Sequence, residues 1–117
     1  MNLNQMRRIA NKSLHPTYHH SALIFSGNRL LSYGYNFRET HAEASAIKRL
    51  NRRIRRGLDP DSIPHNLHLI SYMYKKSSGN MGTSLPCASC MELLKLNGIR
   101  TVTYFDRKGI PCQILLS

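Results

Sequence analysis

Apolar residues recur along the chain with two different spacings, and these predict three helices and five strands. Leu3, Met6 and Ala10 fall on one helical face, whereas segments rich in branched and aromatic residues are typical of strands. The predicted order is α-β-β-α-β-α-β-β, over residues 2–13, 20–26, 29–35, 41–56, 67–74, 87–97, 99–105 and 110–116.

Glycine and proline separate these elements. Gly27-Asn28 predicts a two-residue hairpin between the first two strands. Gly57 and Gly98 are typical residues for the ends of the second and third helices. Two loops are predicted: a proline-containing loop over residues 58–66 and a polar, glycine-rich loop over residues 75–84.

The order of elements indicates an α/β fold in a single domain, residues 1–117, with helices packed on a mixed five-stranded sheet. The third strand is expected to be buried on both faces. Only 11 residues follow Asp106, and a crossover to a parallel strand would need about a dozen or more. The turn Asp106-Arg107-Lys108-Gly109 therefore predicts that the last strand is antiparallel to its neighbour.

Composition narrows the class of protein. A chain of 117 residues with 41% hydrophobic content suits one compact core, and it contains neither a membrane-length apolar run nor a secretory signal, so a cytoplasmic protein is expected. Two of the three cysteines form one Cys-x-x-Cys, which argues against a disulfide scaffold. The third, Cys112, is expected to be a small buried hydrophobe on a strand.

Charge adds a candidate partner. Seventeen Lys and Arg against six Asp and Glu give a net charge of +11, which favours a polyanion such as nucleic acid or a nucleotide. Cations crowd the end of the second predicted helix, where the candidate nucleic-acid-binding residues are Arg49, Arg52, Arg53 and Arg56. Lys75 and Lys76 lie near the next loop. The alternative is a solvated face whose charge suits the negative end of the helix dipole.

Three residues have the types and placement of a zinc site. Cys87 and Cys90 begin one predicted helix and His41 begins another, and three protein ligands leave a fourth position for water. Glu43 can reach that water without binding the metal. A thioredoxin-like redox pair would leave His41 and Glu43 unexplained, and a structural zinc site would want a second Cys or His pair. The other histidines are expected to be ordinary surface or loop residues: His15, His19, His20, His65 and His68.

The pattern His41-Ala42-Glu43 followed by Pro86-Cys87-Ala88-Ser89-Cys90 resembles the cytidine deaminase-like superfamily. The resemblance covers nearly the whole chain and implies a three-layer α-β-α fold. It also implies zinc on the histidine and the two cysteines, with Glu43 as proton shuttle. By the same resemblance, the substrate contacts are Asn36 and the backbone at Ala42 and Leu85. For Asn36 the alternative is a turn residue that ends a strand.

The predicted last hairpin separates groups within this superfamily. Free cytidine deaminases, blasticidin-type deaminases and many toxin deaminases have the hairpin, whereas deoxycytidylate, tRNA-adenosine and APOBEC-type enzymes place a helix there. The ending therefore favours conversion of cytosine to uracil, and the charge favours a phosphate-bearing substrate such as single-stranded DNA or RNA. Two alternatives stay open: a salvage enzyme acting on cytidine, deoxycytidine or its monophosphate, and a zinc-containing nucleic-acid-binding module without catalysis. Homo-oligomerisation is compatible with each.

Overall fold

The computed structural model describes residues 3–37, 39–57 and 66–116, and within these ranges the elements follow the predicted order. The predicted loop over residues 58–66 and His65 lie almost wholly outside them. The helices are α1 (Leu3–Ala10), α2 (Ala42–Arg55) and α3 (Ala88–Leu96). The strands are β1 (Tyr18–Ser26), β2 (Arg29–Tyr35), β3 (Leu67–Lys75), β4 (Ile99–Phe105) and β5 (Pro111–Leu115).

The strands form one mixed sheet in the order β2-β1-β3-β4-β5. β1 is antiparallel to both of its neighbours, β3 and β4 are parallel, and β5 returns antiparallel to β4. The last turn is held by Asp106, whose Oδ1 accepts hydrogen bonds at 2.9 Å from the backbone N–H groups of Lys108 and Ile110. The predicted mixed sheet with an antiparallel last strand is thus confirmed.

Apolar side chains on the two faces of the sheet build two separate cores. On one face Ala22, Ile24 and Leu69 pack against Leu50 of α2 and Leu94 of α3. On the other face the buried side of α1 covers a second cluster, formed by Met6, Ile9, Ala10, Leu23, Phe25, Ile70, Tyr72, Tyr74 and Phe105. This arrangement is the predicted three-layer α-β-α fold.

Gly34 allows α2 to lie close to the sheet. A Cβ atom at this position would overlap the backbone of Ala42 and Ala46 and come within 2.8 Å of the carbonyl carbon of Ser45. Next to it on the same strand face, the Ser32 hydroxyl donates a hydrogen bond of 2.7 Å to the Ala46 carbonyl. The first half of α2 is therefore fixed against β2 at backbone distance.

The carboxyl ends of three strands meet at one edge of the sheet, because β2, β3 and β4 all run in the same direction. The chain leaves β2 and β3 at this edge to begin α2 and α3, and leaves β4 to form the last turn. In α/β sheets ligands bind at such an edge. The fold thus brings together the starts of the two helices that carry the predicted zinc ligands.

The predicted environment of Cys112 is wrong. Cys112 lies on β5 as expected, but it is half-buried rather than buried. β5 is the last strand of the sheet, and its residues alternate between half-buried and exposed, so no second layer closes over it. Among the described residues no helix has both the length and the apolar character needed to cross a bilayer.

Candidate metal centre

His41, Cys87 and Cys90 come together as a group that could hold a metal ion, and their ligand atoms all lie within 4.8 Å of one another. The sulfur of Cys90 is 3.3 Å from Nδ1 of His41. One imidazole and two thiolates are ligands that zinc favours, and three protein ligands leave the open position of a catalytic site. The donor set therefore fits zinc.

The two helix starts explain why these side chains are available. His41 and Cys87 are the N-cap residues of α2 and α3, with extended backbones (ψ 154° and 168°), and neither side chain caps its helix. Their carbonyls instead accept the first helical hydrogen bonds, from Ser45 and Met91. Each side chain can therefore turn toward the metal, in the field of a positive helix end that favours thiolate.

The two cysteines differ in acidity in the metal-free protein. Hydrogen bonding lowers the pKa of Cys87, first from the Ser89 hydroxyl, 3.2 Å from its sulfur, and then from the backbone of Cys90. Burial raises the pKa of Cys90 to about 12, with further contributions from Cys87 and the Glu43 carboxylate. Metal binding to this group therefore requires loss of the Cys90 proton.

Glu43 lies in the first turn of α2 and is 1% exposed. Neither of its oxygens accepts a hydrogen bond from any described residue. A buried carboxylate without hydrogen bonds is costly, since its desolvation is not offset by partners. Glu43 is also close enough to Cys90 to affect its pKa. Its two oxygens are therefore available to accept hydrogen bonds from a polar ligand bound at the metal centre.

His20 is the functional candidate that the sequence did not reveal. It was expected to be an ordinary surface or loop histidine, but it lies on β1 with Nε2 3.1 Å from Oε1 of Glu43. The approach lacks hydrogen-bond geometry, as the unsatisfied Glu43 oxygens show. Burial lowers the pKa of His20, and this effect outweighs the opposing one of Glu43. A neutral imidazole therefore faces the carboxylate at neutral pH.

A chain of hydrogen bonds holds His20 in place. Its Nε2 is 2.6 Å from Oγ of Ser71 on β3, and the Ser71 hydroxyl donates to the Ser84 carbonyl at 2.8 Å. Because the Ser71 proton is used there, Nε2 of His20 carries the proton and donates to Ser71. The Ser84 hydroxyl accepts from the N–H of Phe105. This network links His20, which lies beside Glu43, to the segment that leads into Cys87.

Two further histidines, His19 and His68, also depart from the expectation of ordinary surface or loop positions. His19 is buried, with Nδ1 2.9 Å from the Tyr74 hydroxyl, and His68 is half-buried on β3, 2.7 Å from the Thr103 hydroxyl. His15 is in the loop before β1, where its ring accepts backbone hydrogen bonds. None of these three belongs to the metal-binding group.

The predicted substrate contacts lie around the same helix starts. Ala42 is buried directly after His41, and Leu85 is 50% exposed two residues before Cys87. The side-chain amide of Asn36 bonds the backbone of β1: Oδ1 accepts from the N–H of His20 and Nδ2 donates to the carbonyl of Tyr18, both at 3.0 Å. Asn36 therefore ties the end of β2 to β1, as a strand-ending asparagine does. Its contact with substrate stays a prediction.

The arginines of α2 lie along the free edge of β2. Arg49 stacks over the rings of Tyr33 and Tyr35, with its guanidinium carbon 4.8 and 5.4 Å from the two centroids. Arg53 donates a hydrogen bond to the backbone carbonyl of Leu31. Arg52 and Arg56 line a shallow cleft on the same edge. Two of the four predicted nucleic-acid-binding residues thus also contact their own chain.

Neither a family model nor a characterised protein sequence matches this chain. Its structure does match solved structures, among them a cytidine deaminase from Burkholderia pseudomallei, with a TM-score of 0.60. That match covers 98% of this chain and 93% of the other, at 14% sequence identity. An identity this low shows the fold alone. Together with the three layers and the mixed sheet, the match shows that the chain has the cytidine deaminase-like fold.

Proposed function

We propose that the protein is a zinc-dependent hydrolytic deaminase that converts cytosine to uracil. The observation that carries this proposal is Glu43, a buried carboxylate without hydrogen bonds beside a His41, Cys87 and Cys90 group. A scaffolding zinc site would gain nothing from such a residue, whereas hydrolysis needs a proton carrier close to the metal.

Zinc, when bound by these three residues, supplies a Lewis acid that makes water nucleophilic near neutral pH. Glu43 would accept a proton from that water and deliver it to N3 of the ring while the water oxygen forms a bond to C4. Glu43 would then take the second proton from the new C4 hydroxyl and pass it to the amine as the C4–N bond breaks, so that ammonia leaves and C4 keeps the oxygen as a carbonyl. His20 lies beside the carboxylate on the side of β1, and Glu43 itself is buried, whereas His41 and Cys87 are exposed.

Two features support a cytosine base in a phosphate-bearing substrate. Among such substrates, single-stranded DNA or RNA is the first candidate. The β4–β5 hairpin resembles the ending of cytosine-directed relatives. The net charge of +11 suits a polyanion, for which a free nucleoside gives no reason. The alternative substrate is a free nucleoside or its monophosphate, because the structural match is to a cytidine deaminase.

A deamination panel on the zinc-loaded protein tests the proposal. Cytidine, deoxycytidylate, single-stranded DNA, double-stranded DNA and tRNA are each incubated, and uracil is measured by mass spectrometry. We expect uracil in at least one cytosine substrate, and a rate on single strands that falls steeply as salt rises.

Glu43→Ala is the control for that panel. It should abolish uracil formation while zinc content stays the same. If wild-type protein holds zinc and deaminates no member of the panel, a non-catalytic zinc-containing module replaces the proposal. Activity on free cytidine alone, without salt dependence, would instead favour the salvage enzyme.

A further inference from the structure

A cavity of about 590 Å³ opens at the carboxyl ends of β3 and β4. We call it the strand-end cavity. It is lined by the half-buried Tyr18 and Met73 and by three exposed cations, Lys75, Arg107 and Lys108. Its volume is in the range of sites for small organic ligands and exceeds what a single inorganic ion would fill.

The strand-end cavity adjoins the candidate metal centre through the β1–β3 ladder. Met73 pairs with His20 across the two strands, so both side chains lie on the same face of the sheet. Tyr18 precedes His20 by two residues and shares that face, about 7 Å further along the strand. The cavity therefore begins at the residue that pairs with His20, next to the His20 and Glu43 contact.

The electrostatic character of the cavity is strongly positive. Three cations line it, and none of the described residues around it is acidic. The nearest carboxylate in sequence, that of Asp106, accepts hydrogen bonds from the backbone of its own turn. A ligand that carries negative charge is favoured here, and a phosphate ester has the charge and the acceptor oxygens to match.

The three cations stand on segments of backbone that are already fixed. The N–H of Lys75 donates to the carbonyl of Asn80, and the carbonyl of Lys75 accepts from Gly79, which closes the loop after β3. Arg107 and Lys108 lie in the turn that Asp106 holds. A ligand therefore has to order only side-chain ends, which lowers the entropy cost of binding.

The arginine-rich end of α2 is the rival location for phosphate, and it is less suited to the nucleotide undergoing reaction. Arg49 stacks on tyrosines and Arg53 bonds the backbone of β2, so both already have partners. Arg56 stands fourteen residues beyond Ala42, which at 1.5 Å per residue is about 21 Å from the helix start. Arg52 lies nearer to that start, since it lines a pocket together with Thr40.

We infer that the strand-end cavity is a phosphate-binding subsite, which takes the phosphate ester of the nucleotide whose base lies at the metal centre. The inference rests on the proposed function for the identity of that base, but phosphate binding at the cavity can be measured without any turnover. In a mononucleotide the group is the terminal phosphate, and in a single strand it is the adjoining phosphodiester.

Product affinity tests the subsite on the zinc-loaded protein. Uridine 5′-monophosphate and uridine are not deaminated, so their dissociation constants can be measured by calorimetry. We expect the monophosphate to bind on the order of tenfold more tightly than uridine. The variant K75Q/R107Q/K108Q should lose that preference and still bind uridine. The variant R52Q/R55Q/R56Q removes the same charge from α2 and should keep the preference.

Two results would overturn the inference: equal affinities for the two products, or loss of the preference in the α2 variant and not in the cavity variant. Melting temperatures of both variants check that they fold. A five-nucleotide single strand with a central deoxyuridine separates the sources of phosphate. If its affinity falls in the cavity variant as that of the monophosphate does, the subsite serves polynucleotides as well.

A second probe keeps this inference separate from the proposed function. Inorganic phosphate is titrated into isotope-labelled, zinc-loaded protein, and the backbone amide resonances are followed. We expect the largest shifts at Gly82, Thr83 and Gly109, which line the cavity. If these shifts occur in a protein that deaminates no substrate, the phosphate-binding subsite is supported and the proposed deaminase function is rejected. Shifts confined to α2 would reject the subsite whatever the activity.

Discussion

The two ends of α2 differ in burial, charge and partners. At the first turn, Ala42 and Glu43 are 0% and 1% exposed and lie against β2 and the candidate metal centre. At the last turn, Arg52, Arg53 and Arg55 are exposed and face solvent or the edge of the sheet. One helix thus buries a carboxylate at its first turn and carries a group of cations on an exposed surface at its last turn.

This difference shows how strictly each end depends on its residues. At the buried end, the backbone contact at Gly34 leaves no room for a larger side chain. The closeness of His20 to Glu43 also restricts which polar groups can replace either residue. At the exposed end, positive charge is what matters, and water can replace most contacts. Substitutions at the first turn should therefore have large and specific effects, and those at the last turn small and additive ones.

The largest effect is expected from Glu43→Gln, which keeps the shape of the side chain and removes its ability to accept a proton. Deamination should fall about 1,000-fold, within the range that general acid–base catalysis contributes. Because the replaced carboxylate is buried without hydrogen bonds, the metal-free variant should be at least as stable as wild type. Single-turnover assays and urea unfolding measure the two quantities. A less stable, active variant would contradict the assigned role.

Gly34→Ala tests whether the buried end tolerates added volume. The new methyl group would overlap the backbone of Ala42 and Ala46, and helix and strand must separate to admit it. We expect a loss of about 3 kcal/mol in the free energy of unfolding, the upper part of the usual range for overpacking. Urea unfolding measures it. Ser32→Ala, which removes one hydrogen bond to α2, is the control and should cost only about 1 kcal/mol.

His20→Leu tests the positioning of Glu43. The substitution removes the imidazole beside Oε1 and the donor to Ser71, and it should lower kcat on the order of tenfold by loosening the carboxylate. KM and zinc content should change little. His20→Asn retains a donor and should recover part of kcat. If both variants lower stability and leave kcat intact, His20 is a packing residue.

The pH dependence of stability should come from buried histidines and not from the arginines. Burial is the largest cause that lowers the pKa of His19, His20 and His68. Below about pH 6.5 the unfolded chain binds protons that the folded protein does not, so stability is present above that pH and falls as the pH is lowered. Each histidine contributes a slope of up to about 1.4 kcal/mol per pH unit.

Urea unfolding of the metal-free protein at pH 7.5 and pH 5.5 measures this slope. His68→Gln should reduce it, because it removes one of the three titrating groups while an amide can still reach Thr103. Arg52→Gln should leave it unchanged, since a guanidinium stays charged throughout this range. A flat profile in wild type would show that these histidines bind protons in the folded state.

The smallest effects belong to the exposed end. Arg53→Gln should cost about 1 kcal/mol of unfolding free energy, because it removes the hydrogen bond that covers the Leu31 carbonyl at the sheet edge. Arg52→Gln should stay within about 0.5 kcal/mol of wild type, as surface substitutions usually do. Urea unfolding compares the pair. Equal losses would show that charge rather than the bond to β2 stabilises this end.

Spacing along the sequence was enough to predict the element order and the meeting of His41, Cys87 and Cys90 in a group that could hold a metal ion. His41, Cys87 and Cys90 are N-cap and first-turn residues, so local sequence sets their geometry. His20 escaped prediction because its meeting with Glu43 depends on the pairing of β1 with β3 and on how α2 lies across them. One signal was present: His20 alternates with Ala22 and Ile24, which places it on the face that α2 covers.

The strand-end cavity and the roles of Arg49 and Arg53 could not be predicted for a similar reason. Lys75 and Lys108 are far apart in sequence and meet only because β3 and β4 run parallel to a common edge. From the sequence, Arg49 and Arg53 could be interpreted only as positive charges on α2. Their contacts with the edge strand β2 depend on the fold.

At the shared edge of β2, β3 and β4, the candidate metal centre and the strand-end cavity are formed by different kinds of segment. The predicted metal ligands lie at helix starts, where the backbone is fixed on both sides, whereas most residues that line the strand-end cavity lie in the loops after β3 and β4. Loops tolerate exchange far better than helix starts do. Exchanging residues 76–83 and 107–109 while Ser84 keeps its hydrogen bonds to Ser71 and Phe105 is therefore a route to new substrate preferences that preserves the His20 network.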